Sequence, residues 1–381
     1  MQSNNKLRMA IRATAAAAMF GVAGQAGAVS FTAGDYDMAV YGYARFNASY
    51  DVDSNQALST RSGSYSGLAT NSGAAEGHFG ADAFQSRLGV KATSPEGVMV
   101  NIEGDFRGSG GGSFRLRHAY GSYQNILAGQ TWSNFTSFVG NTSTLDFDSL
   151  PGVAGYQSRT PQVRYTSGPL SLSLEDPRYS FVTTAANDIS KNGMPTLTAR
   201  LEDSADALSY SAAVLAHQIA YDDGTDDDSA FGFATFVAAK MAITDMITVQ
   251  GSLSYTDGAN SYLYRSGENF GAASAYVDLA TGSVETISGY GGSIGAGINM
   301  GGGRSVNIGY GLVTVDWDDA EADGVAVQDQ SETNSAVMAN YKWTPVKNVM
   351  MGVEYQFLSR ENVSGVDGDA SRLLFAAQYN F

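Results

Sequence analysis

Ser371-Arg-Leu-Leu-Phe-Ala-Ala-Gln-Tyr-Asn-Phe381 closes the chain, and its reading decides the fold. Leu373, Phe375, Ala377, Tyr379 and Phe381 share one parity. Arg372, Gln378 and Asn380 share the other, with Leu374 and Ala376 as small apolar exceptions. A period of two describes a strand with one apolar and one polar face. The strand runs to an aromatic last residue, whereas the termini of soluble domains usually fray. Such a strand points to a sheet closed on itself, and the closed sheet that crosses a bilayer is a β-barrel.

The other end of the chain fits that reading. Lys6, Arg8 and Arg12 precede an Ala-rich apolar stretch from Ala13 to Ala23, and Ala26-Gly27-Ala28 supplies a small-x-small cleavage site. This is the layout of a secretory signal peptide. We therefore expect residues 1–28 to be a signal peptide and residues 29–381 to form one outer-membrane β-barrel. No later segment has the roughly 18 uninterrupted apolar residues of a transmembrane helix. The absence of cysteine removes disulfides and thiolate metal sites from consideration. With 45 Gly and 21 Tyr against 7 Pro, the balance is that of strands and turns.

The net charge is −16, and residues 1–28 hold three cations and no acid, leaving −19. So acidic a chain is a poor nucleic-acid binder. The positive minority is unevenly placed: 12 of its Lys and Arg lie between Val29 and Arg200, and only 7 follow.

Period-two runs recur from Met38–Tyr50 to the terminal strand, about sixteen in all, with short turns alternating with longer loops. Boundaries read this way move by a few residues, so fourteen or eighteen strands also fit. Ser94-Pro95-Glu96-Gly97 and Gly168-Pro169 are the clearest turns.

The faces carry the functional reading. Val98, Val100, Ile102 and Phe106 oppose Asn101, Glu103, Asp105 and Arg107. Phe114, Leu116 and Tyr120 oppose Arg115 and Arg117, which leaves His118 on the apolar side. A charge facing lipid at mid-membrane costs roughly 2–4 kcal/mol, so the charged parity must face water. Arg45, Arg87, Lys91, Arg107, Arg115, Arg117, Arg164 and Arg200 are accordingly the candidate pore-lining and solute-binding residues. Arg372 is expected on the same lumen face, near Arg45 after closure. Guanidinium forks bind carboxylates bidentately, and a low-dielectric wall focuses their field on anions. The segment from Trp132 to Arg159, with Asp146 and Asp148, is expected to fold into the lumen as a constriction facing this wall.

Four stretches resemble the DcaP-like outer-membrane porins: Val100-Asn-Ile-Glu-Gly-Asp-Phe-Arg107, Phe114-Arg-Leu-Arg-His-Ala-Tyr120, Leu127-Ala-Gly-Gln-Thr-Trp-Ser-Asn-Phe135 and Arg159-Thr-Pro-Gln-Val-Arg-Tyr165. They fall in the first half of the mature chain. The resemblance implies a sixteen-stranded homotrimer that passes small anions, dicarboxylates in particular. It extends the anion-path role to Arg115, Arg117, Arg159 and Arg164. An N-terminal helical extension expected of some members has no counterpart here, since only Val29 to Asp37 precede the first strand. Any trimer must then be held by the barrel walls.

Two motifs carry rival chemistry. Gly291-Gly-Ser293-Ile-Gly295 fits the nucleophile elbow of hydrolases, but it lies in a glycine-rich strand, and His78, His118 and His217 have no evident partner. The acidic runs Asp222–Asp228 and Asp316–Asp323 suit Ca2+ or Mg2+ bridging to lipopolysaccharide, or simply solvated outer loops; neither has EF-hand spacing. No other cofactor is implied. The sequence thus reads as an outer-membrane porin, not an enzyme, for passive diffusion of small hydrophilic solutes with a preference for organic anions. A nonspecific or cation-preferring porin and a barrel hydrolase are the alternatives.

Overall fold

The computed structural model describes residues 28–54, 65, 68, 76–182, 189–268, 270–278 and 280–381. The expected signal peptide, apart from Ala28, lies outside these.

In chain order the first strands are β1 Val29–Ala33, β2 Tyr36–Asp51, β3 His78–Asp82, β4 Arg87–Thr93, β5 Met99–Gly108, β6 Ser113–Tyr123 and β7 Ile126–Trp132. There follow β8 Arg159–Ser167, β9 Leu170–Glu175, β10 Thr196–Ala205, β11 Leu208–Asp222, β12 Asp227–Ala242 and β13 Ile247–Asp257. β14 Ala275–Val277 and β15 Val284–Thr286 make a small separate hairpin. β16 Ser288–Gly301, β17 Arg304–Val315, β18 Ser331–Val346, β19 Val349–Asn362 and β20 Asp367–Asn380 complete the wall.

The main sheet contains 18 strands. β3 and β4 pair with successive parts of β2 and act as one strand interrupted at residues 83–86. β1 pairs only with the start of β2. Joining the first pair and setting β1 aside leaves sixteen antiparallel strands in a closed ring, as the periodicity indicates. The terminal strand performs the closure: β20 pairs with β2 from Tyr43↔Asn380 to Asp51↔Arg372. Gly42 and Phe381 exchange both backbone hydrogen bonds, at 3.0 and 3.1 Å. Gly42 permits this approach, because a Cβ there would lie 3.0 Å from the Phe381 ring and 2.2 Å from the Arg87 carbonyl oxygen. The register also corrects one expectation. Arg372 lies opposite Asp51, its Nε donating at 2.6 Å, while Arg45 lies opposite Gln378.

The two faces sort as the parity requires. Val100, Ile102, Leu172, Val237, Leu253, Ile308 and Val353 are exposed on the outside, an apolar girdle that in water would be an aggregation surface. Asn101, Glu103, Asp105, Gln162, Arg164, Glu354 and Gln356 are buried within. Tyr123, Tyr165 and Tyr379 stand near the short-turn rim, where aromatic rings favour the lipid–water boundary. The short turns use the expected chemistry: Gly97 takes φ +84 and donates to Ser94 O at 2.9 Å.

One departure has a local cause. The β5–β6 register passes from Glu103↔His118 to Gly104↔Leu116, leaving Arg117 as the extra residue of a β-bulge. Beyond the bulge the parity of β6 inverts. Tyr120 and His118 are therefore buried inside rather than facing lipid. His118 Nδ1 lies 3.0 Å from Thr131 Oγ1, and its ring packs edge-on against Trp132.

Candidate functional site

Residues 133–158 leave β7, turn into the barrel and return to β8. Their path is fixed by what they touch. Ser133 and the Asn134 backbone both donate to Glu175 at 2.6 Å, tying the loop start to β9. Phe135 and Ala154 pack on Ala213, Leu215, Ala234 and Phe236 of β11 and β12. Leu150 and Val153 pack on Ala336, Met338 and Leu358. Leu145 rests on Leu374 and Ala376, the two apolar exceptions on the polar face of the last strand. The loop therefore lines the wall from β9 round to β20.

Polar clamps hold the loop tip. Glu354 accepts the backbone N–H of Leu145 at 2.6 Å and of Asp146 at 3.0 Å. Arg45 donates to Leu145 O at 2.6 Å, and Asn340 donates to Ser143 O at 2.8 Å. Glycines make room beneath. A Cβ on Gly295 would meet Thr142 Oγ1 at 2.0 Å, and one on Gly311 would meet Pro151 O at 2.2 Å.

Across the lumen, the wall of β4 to β8 carries the arginines. Arg115 grips Asp105 with both fork arms, at 2.9 and 2.8 Å. Arg117, fully buried, donates to Glu103 at 2.8 Å and to Asp105 at 3.1 Å. Arg87 lies 3.8 Å from Glu103. Arg159 stacks on Trp132, 4.6 Å from its ring centre. Between this wall and the loop lies a cavity of about 1020 Å3, bordered by Arg87, Arg107, Arg115, Arg159 and Arg178 against Asp82 and Asp148. The Arg117, Glu103 and Asp105 layer behind it adds one positive and two negative charges, so the site stays net positive.

The molecule is thus a sixteen-strand ring with an inward loop facing a basic wall. A model of the family described as DcaP outer membrane protein matches residues 27–381. The chain belongs to the DcaP outer membrane protein family. It is a channel-type barrel of the outer membrane. The crystal structure of the outer membrane channel DcaP of Acinetobacter baumannii superposes with a TM-score of 0.79 at 28% identity, covering 93% of this chain and 100% of that one. Salmonella typhi OmpF in complex with daunomycin gives 0.58 at 13% identity, covering 93% and 100%. The anion-selective porin from Comamonas acidovorans gives 0.56 at 13% identity, covering 91% and 100%. These two establish likeness of fold alone. No curated protein matches the sequence.

Within this DcaP-family barrel the nine candidate cations fall into groups. Arg87, Arg107, Arg115 and Arg159 border the cavity, with Arg117 buried in the layer behind them. Arg45 and Arg200 instead donate to the loop backbone, at Leu145 O and Thr136 O, and Arg164 donates to Trp132 O where β7 runs into the loop. Lys91 lies apart near the short-turn rim, opposite Ala39 and Asn101. Of the two loop acids, Asp148 borders the cavity. Asp146 does not; it is buried against the wall, accepting from Gln356 Nε2 at 2.9 Å and from Asp148 N at 2.7 Å. Burial pushes its carboxyl up to about 7, with Asp148 and Glu354 adding to the rise.

Three features escaped the sequence reading. Phe147, between the two aspartates, points its ring at the arginines, 5.2 Å from Arg87, 5.3 Å from Arg117 and 5.9 Å from Arg107. Glu354, a lone acid on a lumen parity, is the loop clamp. Gly291, Ser293 and Gly295 belong to the docking track: Ser252 donates to Gly152 O at 3.0 Å and lies 2.9 Å from Ser293 Oγ. A lumen-side run of Gly, Ala and Ser in late strands was the available signal.

Proposed function

We propose that this barrel is a passive pore for small organic anions, dicarboxylates among them. The observation that carries the reading is the asymmetry of the constriction. Arginines crowd one wall, while the loop opposite turns its buried acid, Asp146, away from the cavity. A carboxylate entering there meets Arg115 and Arg159 within a low-dielectric wall, where the attraction far exceeds its value in bulk water. Two carboxylates on one solute can engage two forks at once, which supports dicarboxylates over monovalent acids.

Arg45, Arg164 and Arg200 shape the path rather than contact solute, because their donors hold the loop and its entry from β7. The barrel works as a homotrimer exported by a cleaved signal peptide; these parts rest on the sequence and the family resemblance. The test is block of chloride current by succinate in planar bilayers. Arg115→Ala and Arg159→Ala should each weaken block about tenfold, the loss of one charge-assisted contact. Unchanged block in both excludes the wall as a binding surface.

A further inference from the structure

We propose that Phe147 is a displaceable aromatic latch on the arginine wall, competing with incoming anions for the same guanidinium faces. The proposal rests on the anion path described above. Three guanidinium groups, from three adjacent strands, converge on one ring: Arg87 of β4, Arg107 of β5 and Arg117 of β6.

The ring satisfies Arg87 and Arg117 incompletely. Its face offers a negative quadrupole but no acceptor atom. Arg117 Nη2 and Arg87 Nε are buried and lack a hydrogen-bond acceptor. Buried charged donors left in that state are costly. An oxyanion arriving at the cluster supplies acceptors, and a charge-assisted hydrogen bond outweighs a cation–π contact. The anion therefore wins the exchange and the ring moves aside.

The loop is built to let one side chain move while its backbone stays. Leu145 N and Asp146 N are fixed to Glu354, and Asp148 N to Asp146 Oδ1 at 2.7 Å. Phe147 itself is only half-buried and borders the cavity. Release of the ring widens the constriction and fills it with anion in the same step. The apparent affinity for anions is then the intrinsic affinity lowered by the fraction of time the latch is seated.

The experiment compares succinate block of chloride current for the wild-type channel, Phe147→Leu and Phe147→Trp. Leucine keeps bulk but has no π face; tryptophan offers the strongest one. Block should tighten about threefold to tenfold in Phe147→Leu and weaken by a similar factor in Phe147→Trp. Conduction is itself the folding control, since only closed barrels conduct; should tryptophan not fit, leucine against wild type decides. Equal block constants in leucine and wild-type channels that remain anion-selective overturn the latch and leave the path standing. A wild-type channel that is neither anion-selective nor blocked overturns both.

Discussion

Glu354 accepts the backbone N–H of Leu145 at 2.6 Å, across 209 residues of sequence. One carboxylate on β19 thereby fixes the tip of the inward loop, with Asn340 Nδ2 at 2.9 Å and Gln356 Nε2 at 3.0 Å filling its other acceptor positions. Buried carboxylates persist when their hydrogen bonds are complete, and this one is.

Glu354→Gln keeps the shape but loses the charge and one of the two acceptor oxygens. We expect thermal unfolding in detergent to show a loss of about 1–3 kcal/mol, the range for an unsatisfied buried donor. Single-channel current should become noisier as the tip loosens. Unchanged noise would remove Glu354 as the clamp.

Gly311→Ala tests the docking track. The new Cβ would lie 2.2 Å from Pro151 O, a backbone atom that must move. Overpacking of this kind costs about 1–3 kcal/mol. The loop has only the cavity to move into, so conductance should fall. A conductance equal to wild type would show that the loop does not rest there.

The two arginines on Asp105 should separate stability from selectivity. Arg115 has a side chain 37% exposed. Its loss should cost under about 1 kcal/mol and leave a folded barrel. Arg117 is fully buried between Glu103 and Asp105, and its removal leaves the two carboxylates one buried cation short, at about 3–5 kcal/mol. Thermal melts of Arg115→Ala and Arg117→Ala in the same detergent should differ accordingly; equal melts would contradict the buried layer.

Acid should tighten the loop. Asp146 has its carboxyl raised in the folded barrel, first by burial. The protonated form is thus favoured by folding, and its contribution is complete below the ordinary carboxylate range. It declines as pH rises from there through about 7. Melting temperature should fall across that window in the wild type, and the fall should shrink in Asp146→Asn. Melting curves at pH 4 to 8 check this; parallel pH profiles would exclude Asp146 as the responsible group.

Much of the barrel was legible because one face of each strand meets lipid. Leu373 and Tyr379 against Arg372 and Gln378 state the rule in one strand, and the same rule placed Arg87, Arg107 and Arg115 inside. The rule failed where alternation itself breaks. The extra residue at Arg117 turned Tyr120 and His118 inward, and nothing in Arg-Leu-Arg-His announces a bulge. Parity also names a face but not a partner. It could not tell Arg164 and Arg200, which bind backbone carbonyls, from Arg115 and Arg159, which border the cavity. Leu374 and Ala376 did carry the missing information. Apolar residues on a water-facing parity mark where something covers the wall, and here it is Leu145.

Net charge and pore selectivity should differ in sign in this channel: the chain carries −16, whereas the proposed solute is an anion. The most direct measurement is the reversal potential of the purified channel in a planar bilayer under a tenfold KCl gradient. We expect the sign of chloride selectivity, moving toward zero in Arg115→Ala. A reversal potential of the potassium sign in the wild type would contradict it.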